Sequence, residues 1–323
     1  MSEMRTSIEI ERRPLGGSAL EVPRIMLGCG NFGGVGSAPE FFGQGQSEPE
    51  AFALMDAAWE LGITWFDTAD AYGGGRSEAA IGRWCRSRGV RPQITTKTYN
   101  PMDAGADRGL SRRRIERQLE SSLERLGTDH VDLYLAHEFD PDTPLEETLE
   151  TFDDLVAKGA IGAYGVSNFA ADQLRQAATA GSVACVQNSY SLLDRADERE
   201  VLPLCDEQGI AYVAFGPLAG GWLTGKYRRD EPFPPGSRMT QRPEPYEGFV
   251  RESVFDALET LEEMATQRGL SMAGLALAWL LDEPRLTAAV VGPTRPQQLD
   301  PVREALTSPL EAEERDRLSR VFD

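Results

Sequence analysis

The fold is decided by a repeating unit that is clearest in residues 131–166, VDLYLAHEFDPDTPLEETLETFDDLVAKGAIGAYGV. The unit begins and ends with short apolar runs, Val131–Leu135 and Ala163–Val166, that are rich in β-forming residues. Between them, Thr143–Lys158 has the spacing of apolar positions that favours an amphipathic helix. The short runs show little two-residue alternation, which is typical of parallel strands covered by helices. The unit therefore predicts an α/β protein.

The same alternation of strand and helix runs along most of the chain. The predicted strands are Arg24–Gly28, Ile63–Phe66, Gln93–Thr96, Val131–Leu135, Ala163–Val166, Val183–Val186, Ala211–Phe215 and Ala288–Val291. The predicted helices are Glu50–Leu61, Ser77–Arg88, Ser111–Leu126, Thr143–Lys158, Ala170–Ala180 and Arg195–Gln208. Eight such repeats without a break in composition favour a closed barrel over an open sheet. We predict one domain, residues 1–323, with the α/β fold of a (β/α)₈ TIM barrel.

Three segments stand outside this repeat. Residues 8–22 contain two short β-type runs around Gly16-Gly17, and we expect a hairpin that closes the bottom of the barrel. Residues 309–322 have the pattern of an extra C-terminal helix. Two long loops, residues 30–48 and 226–246, are predicted at the C-terminal face, where they would determine the substrate.

The composition excludes some partners. The chain has 33 Lys and Arg against 52 Asp and Glu, and its formal net charge is −19. A field of this sign repels polyanions, so we expect no nucleic-acid partner and no acidic membrane surface. A small anionic ligand remains compatible, because a few basic groups and helix ends can hold it. The oligomeric state is left open.

The cysteines indicate the compartment. Cys29, Cys85, Cys185 and Cys205 are scattered and form no C-x-x-C pair. At this chain length the pattern is typical of reduced thiols in the cytosol. The first residues have no apolar h-region, and no run reaches the roughly 18 apolar residues of a membrane span. We therefore predict a cytoplasmic protein.

A glycine motif could suggest a different fold. Gly28-Cys-Gly30-Asn-Phe-Gly33 satisfies G-x-G-x-x-G and follows a predicted strand. A Rossmann loop must open directly into a helix that holds the pyrophosphate. Here more glycines and Pro39 follow, and helical periodicity begins only near Pro49. We interpret the glycines as a close approach of backbone to a ligand at the barrel mouth.

Polar residues follow the strands at the end where a barrel carries its catalytic groups. Asp67 and Tyr72 follow the second strand, Lys97 the third and His137 the fourth. Hydride transfer to a carbonyl leaves negative charge on oxygen, which an acid must neutralise. An ammonium beside a phenol favours the phenolate, so Lys97 would assist proton release from Tyr72. Asp67 would hold Lys97 by an ion pair, and His137 would orient the carbonyl oxygen.

These residues carry a resemblance to a known family. Residues 62–73, GITWFDTADAYG, resemble the signature around the catalytic Asp and Tyr of aldo-keto reductases. Residues 126–137, LGTDHVDLYLAH, resemble the stretch that ends in the family's catalytic His, and Thr96-Lys97 fits the catalytic Lys. The similar segments follow the family order from about Ile8 to about Leu306. The chain therefore resembles an aldo-keto reductase over nearly its whole length.

The resemblance implies a catalytic tetrad of Asp67, Tyr72, Lys97 and His137, and a bound NADP(H) in preference to NAD(H). The nicotinamide would contact Ser167, Asn168 and Gln187 by hydrogen bonds and Phe215 by stacking. The pyrophosphate would lie along Gly216, Pro217, Leu218 and Gly220, with Lys226 close by. The adenosine 2′-phosphate would contact Gly292, Thr294, Arg295 and Gln298. A guanidinium and a helix N-terminus both suit a phosphate.

The sequence thus predicts an NADPH-dependent oxidoreductase that reduces a small aldehyde or ketone to the alcohol, with Tyr72 as general acid and without a metal. One alternative is a regulatory or redox-sensor protein of the same fold that binds NADPH and turns over slowly. Another is a lyase or isomerase barrel in which Lys97 forms a Schiff base. The natural substrate and the physiological direction of the reaction are left open.

Overall fold

Eight parallel strands close into a barrel in the computed structural model, which describes residues 8–105 and 107–323. A hairpin of β1 (Arg12–Pro14) and β2 (Glu21–Pro23) comes first. The barrel strands are β3 (Ile25–Gly28), β4 (Trp65–Asp67), β5 (Gln93–Thr98), β6 (Val131–Ala136), β7 (Ile161–Ser167), β8 (Cys185–Ser189), β9 (Ala211–Phe215) and β10 (Leu286–Val291). Strand β10 pairs with both β3 and β9, which closes the ring. The predicted (β/α)₈ barrel is confirmed.

Helices surround the barrel and connect its strands. They are α1 (Glu48–Leu61), α2 (Arg76–Arg88), α3 (Arg112–Leu126), α4 (Leu145–Ala157), α5 (Ala171–Ala180), α6 (Val201–Gln208), α7 (Arg238–Gln241), α8 (Glu252–Arg268), α9 (Met272–Leu281), α10 (Asp300–Thr307) and α11 (Ala312–Val321). No described helix is both long enough and apolar enough to span a membrane.

Two features of the helices differ from the sequence prediction. The predicted helix Arg195–Gln208 begins only at Val201, after a separate 3₁₀ turn at Ala196–Glu198. Asp197 holds this turn against the barrel, because its carboxylate accepts hydrogen bonds from Asn188 and Tyr212. The prediction also missed α8 and α9. Nine of the ten residues of α9 are buried, so it has no polar face to reveal its period.

The hairpin fills the N-terminal end of the barrel. Leu15 and Val22 are fully buried in one apolar cluster with the inward-facing strand residues Met26, Trp65 and Leu133. A Cβ built on Gly16 would lie 2.3 Å from the carbonyl oxygen of Ala184, just before β8, so the turn packs against the strand starts. The expected N-terminal hairpin at the bottom of the barrel is confirmed, with strands at Arg12–Pro14 and Glu21–Pro23.

The long loops lie at the opposite end. The first contains a 3₁₀ turn at Pro39–Phe41, and no α-helix begins before Glu48. The glycine motif Gly28–Gly33 therefore does not open a Rossmann helix. The second loop contains the short α7. The C-terminal helix covers Ala312–Val321 and is anchored by a hydrogen bond from Trp279 Nε1 to Ser319 Oγ.

Candidate active site

A buried ion pair lies at the C-terminal end of β4 and β5. Lys97 points into the barrel mouth, while its neighbours Thr96 and Thr98 face outward to α2 and α3, because side chains alternate along a strand. The Lys97 ammonium donates hydrogen bonds to Asp67 Oδ1 at 2.5 Å and to the Thr68 carbonyl at 2.9 Å. Lys97 is 1% exposed and Asp67 is 2% exposed, so water screens this pair very little.

The second oxygen of Asp67 is held from across the barrel. Gln187, in the middle of β8, donates from its side-chain Nε2 to Asp67 Oδ2 at 2.8 Å. Both carboxylate oxygens therefore have partners, which fixes the plane of the Asp67 carboxylate. The resemblance assigned Gln187 to the nicotinamide, whereas in this structure its amide nitrogen supports Asp67.

Tyr72 and His137 complete the group. The Lys97 ammonium lies 5.1 Å from the centre of the Tyr72 ring, and the Tyr72 and His137 rings are 5.6 Å apart at 74°. Gly30 lies beside the phenol, since a Cβ on it would be 3.5 Å from the Tyr72 ring. The four residues that the sequence placed at separate strand ends thus come together at one mouth of the barrel.

Burial and charge set the protonation of these groups. Burial lowers the pKa of Lys97, but the Asp67 carboxylate and Tyr72 together outweigh it, and the pKa is raised. Burial raises the pKa of Tyr72 above 10, and the Lys97 charge opposes this increase. Burial and the Lys97 charge hold the pKa of His137 well below 6.5. At neutral pH the site therefore holds an ammonium, a neutral phenol and a neutral imidazole.

Two residues predicted to bind the nicotinamide lie next to this group. Ser167 is buried at the end of β7, and its hydroxyl donates to the Gln187 carbonyl at 2.7 Å. Asn168 adopts the left-handed conformation, φ 59°, which is uncommon for a residue other than glycine. Its side-chain nitrogen donates to the His137 carbonyl at 2.9 Å and to Glu138 Oε1 at 3.1 Å. Asn168 thus ties β7 to the His137 segment.

The segment after β9 offers an aromatic face and a glycine loop. Phe215 is half-buried and packs against the interior of the barrel. Gly216, Gly220 and Gly221 all have positive φ, and so does Ala219 between them, which directs the loop around Pro217 and Leu218 through tight turns. The exposed Lys226 folds along Gly221, and its ammonium lies 5.0 Å from the Tyr227 ring.

The segment after β10 carries the remaining predicted cofactor residues. Gln298 accepts hydrogen bonds from the Thr294 backbone N–H at 2.7 Å and from its hydroxyl at 3.1 Å. Arg295 is exposed and precedes a 3₁₀ turn, Pro296–Leu299, that continues into α10. A Cβ built on Gly292 would meet nothing within 4 Å, and one on Gly216 would meet only Ser189 Oγ at 3.7 Å. Open backbone and exposed cations suit the phosphates of a dinucleotide. The half-buried ring of Phe215 suits stacking on a flat ring.

Several residues at the mouth were missed by the sequence prediction. Gln46, from the first loop, donates to the Thr294 carbonyl at 2.9 Å. Arg238, from the second loop, donates to Asn31 Oδ1 at 2.5 Å and so joins the two long loops. Glu138 follows His137, and burial raises its pKa to about 7. Only Glu138 had a sequence signal, since it stands directly after a candidate catalytic residue.

Comparison with known proteins agrees with this geometry. The model of the aldo/keto reductase family matches residues 24–322. The chain belongs to this family. The oxidoreductase YrpG of Bacillus subtilis (strain 168) is 36% identical, over 95% of this chain and 94% of its own. A probable voltage-gated potassium channel subunit beta of rice (Oryza sativa subsp. japonica) is 32% identical, over 90% of this chain and 89% of its own.

A solved structure gives the same result. The glycerol dehydrogenase from Gluconobacter oxydans superimposes with a TM-score of 0.81 and 27% identity, over 99% of this chain and 95% of its own. The family match confirms the resemblance seen in residues 62–73 and 126–137. Aldo/keto reductases are oxidoreductases that act on carbonyl compounds. Among the described residues, no three His, Cys, Asp or Glu side chains come together as a metal site.

Proposed function

We propose that this aldo/keto reductase uses NADPH to reduce a small aldehyde or ketone to the alcohol, with Tyr72 as the general acid. The observation that carries the proposal is the buried Lys97–Asp67 pair, whose ammonium lies 5.1 Å from the centre of the Tyr72 ring. A cation fixed beside a neutral phenol stabilises the phenolate that remains after the proton leaves. Bound NADPH would supply the hydride.

Each residue has a distinct task in this proposal. Tyr72 holds a proton on its hydroxyl oxygen at neutral pH, because burial raises its pKa. Lys97 stabilises the negative charge that proton transfer leaves on Tyr72, and Asp67 keeps the ammonium in place. His137, neutral because burial and Lys97 lower its pKa, can donate one hydrogen bond to the carbonyl oxygen.

For the cofactor, Phe215 would stack on the nicotinamide, with Ser167, Asn168 and Gln187 at its carboxamide. The loop of Gly216, Pro217, Leu218 and Gly220 would follow the pyrophosphate beside Lys226. Gly292, Thr294, Arg295 and Gln298 would hold the adenosine 2′-phosphate, which favours NADP(H) over NAD(H). We also propose that the chain works as a single domain in the cytoplasm, where its four unpaired cysteines would stay reduced.

Two alternatives make different predictions. One alternative is an NADPH-binding regulatory protein with slow turnover. The similarity to a rice protein named as a channel subunit is the observation that supports it. A Schiff-base mechanism needs a neutral Lys97, whereas its ion pair with Asp67 raises the pKa of the amine. The raised pKa therefore supports reductase chemistry over a covalent mechanism.

The test is a stopped-flow measurement with NADPH and 4-nitrobenzaldehyde. A reductase will oxidise bound NADPH rapidly when the aldehyde is mixed in, and gas chromatography will detect the alcohol. A protein that binds NADPH tightly but oxidises it negligibly would support the regulatory alternative. A protein without affinity for NADPH would contradict both, and borohydride trapping with sugars would then test Lys97.

A further inference from the structure

A buried carboxyl group lies on the loop that joins Asp67 to Tyr72. Asp70 is fully buried, and its Oδ1 accepts a hydrogen bond from the Ala71 N–H at 2.6 Å. Its own backbone N–H donates to the Lys97 carbonyl at 3.0 Å. Asp70 is therefore connected both to the strand residue that carries the ammonium and to the residue that precedes the phenol.

The groups that face Asp70 come from the layer outside the barrel wall. Glu78 projects from α2, Arg114 from α3 and Tyr134 from the outer face of β6. The Glu78 charge raises the pKa of Asp70 and the Arg114 charge lowers it. The Asp70 charge in turn raises the pKa of Tyr134. Thr98, on the outer face of β5, brings its hydroxyl beside the carboxyl and lowers the pKa of Asp70. Asp70 thus lies on the opposite side of the strand from the Lys97 ammonium.

Arg114 is a buried cation that bonds to Thr98, and its charge lowers the pKa of Asp70. It is 2% exposed, and its Nη1 donates to Thr98 Oγ1 at 2.8 Å. Its other short hydrogen bonds go to the backbone carbonyls of Gly109 and Asn100. Among the described residues, the carboxylate within 4 Å of Arg114 is that of Asp107, at 3.8 Å, and it is largely exposed. A buried guanidinium needs a countercharge, and Asp70 is the buried carboxyl one hydroxyl away.

The hydrogen-bonding groups around Asp70 favour its ionised form. The Ala71 N–H donates to Asp70 Oδ1, and the Thr98 hydroxyl lowers the pKa of the carboxyl. Asp70 Oδ2 and the Tyr134 hydroxyl are both buried without a partner in the described structure, which leaves a donor and an acceptor in the same cluster. Both oxygens of the neighbouring Glu78 already accept hydrogen bonds, one from Thr96 and one from Arg125. Burial and the Glu78 charge nevertheless raise the pKa of Asp70 to about 7.

We propose that Asp70 is a positioning residue whose ionised carboxyl, linked to Arg114 through the Thr98 hydroxyl, holds the Asp67–Tyr72 loop against β5 and so fixes the phenol beside Lys97. The proposal rests on the reductase function proposed above. Proton transfer depends steeply on geometry, and a displacement of about 1 Å can slow a reaction by about a hundredfold. Burial of the Asp70 carboxylate directly behind the reacting groups costs stability. Proteins keep such unfavourable groups mainly where function requires them.

The first test compares the wild type with Asp70→Asn in single-turnover oxidation of bound NADPH by 4-nitrobenzaldehyde. The amide keeps the shape but not the charge. We expect a loss of hydride-transfer rate of about tenfold or more, with NADPH affinity largely unchanged and a melting temperature at pH 8 no lower than that of the wild type. The hydride-transfer rate of the wild type will also fall as the pH decreases through about 7. The pH–rate profile of the variant will lack this acid limb.

Thr98 offers a matched pair of variants. Thr98→Val has nearly the same shape but no hydroxyl, and we expect it to lose rate as Asp70→Asn does. Thr98→Ser keeps the hydroxyl and will retain the rate. Asp197→Asn is the control for a half-buried carboxyl elsewhere, since Asp197 lies outside the barrel and bonds to Asn188 and Tyr212. Its hydride-transfer rate will match that of the wild type.

The outcomes separate the two proposals. A wild-type protein that reduces no aldehyde overturns both the reductase function and the role of Asp70. A wild type that turns over, with Asp70→Asn and Thr98→Val equally fast, overturns the positioning role alone. Glu138 also has a pKa of about 7, so an acid limb that persists in Asp70→Asn and disappears in Glu138→Gln would assign the titration to Glu138 and contradict the proposal.

Discussion

Gln187 and Asp67 are joined across the mouth of the barrel by a hydrogen bond of 2.8 Å from the side-chain Nε2 to Oδ2. They are 120 residues apart in the chain and belong to strands on different sides of the ring, β4 and β8. Lys97 holds the other oxygen, Oδ1, so the carboxylate can neither rotate nor change partner without losing a buried hydrogen bond. The orientation of the ammonium therefore depends on a residue that does not belong to the predicted tetrad.

The first prediction concerns this contact. Gln187→Leu will leave Asp67 Oδ2 buried without a donor, which costs about 1–3 kcal/mol of unfolding free energy. Hydride transfer will also slow, because Asp67 no longer holds Lys97 in one position. Chemical denaturation and stopped-flow oxidation of NADPH measure the two effects. Gln118→Leu, at another buried glutamine on α3, is the control and will leave the rate unchanged. If Gln187→Leu alters only cofactor affinity, the support of Asp67 is not its main role.

The second prediction tests the general acid. Tyr72→Phe removes the proton that the alkoxide needs and leaves the ring beside His137 in place. Turnover of 4-nitrobenzaldehyde will be abolished, while NADPH will still bind, as followed by its fluorescence. Tyr227→Phe, which removes a hydroxyl from a buried tyrosine of the second loop, will stay active. Turnover that survives in Tyr72→Phe would show that another group donates the proton.

The third prediction concerns the stability of the ion pair. Asp67→Asn leaves the Lys97 ammonium buried without a counterion, and the unfolding free energy will fall by about 3–5 kcal/mol. Asp154→Asn breaks the ion pair with Arg112, which is also short but exposed, and will cost at most about 1 kcal/mol. Urea denaturation of both variants at neutral pH makes the comparison. Equal losses would mean that burial of the Lys97–Asp67 pair does not strengthen it.

The sequence predicted most of the barrel and the position of the tetrad, for a physical reason. Strand ends in a barrel all face the same mouth, so the residue that follows each strand is placed by the local pattern alone. Helix α9 was not predicted, because a helix buried on all sides has no polar face and so shows no helical period in its sequence. The hydrogen bonds from Gln46 to Thr294 and from Arg238 to Asn31 were not predicted for another reason. They span 248 and 207 residues, and nothing in either local sequence indicates the partner.

The fourth prediction concerns the pH dependence of stability. The pKa of Asp70 rises from 3.8 to about 7 on folding, so the folded protein binds this proton more tightly than the unfolded chain. The resulting stabilisation is present below about pH 4 and is lost as the pH rises to about 7, a difference of about 4 kcal/mol. Asp70→Asn has no such group, and its stability relative to the wild type will increase over this range. Denaturation at pH 5 and pH 8 measures it. A constant difference would place Asp70 in the ionised state at both pH values.

The last prediction concerns the choice of cofactor. Arg295 is exposed at the start of the turn Pro296–Leu299, where its guanidinium and the backbone N–H groups can both face a phosphate. NADH lacks the 2′-phosphate, so Arg295→Ala will weaken NADPH binding by about tenfold and leave NADH binding unchanged. Fluorescence titration of both cofactors measures this ratio. Arg317→Ala removes the same charge from the exposed face of α11, and it controls for the net charge of the protein. Equal weakening of NADPH and NADH by Arg295→Ala would assign the guanidinium to a part that both cofactors share, and Thr294 and Gln298 would then be the residues left to recognise the 2′-phosphate.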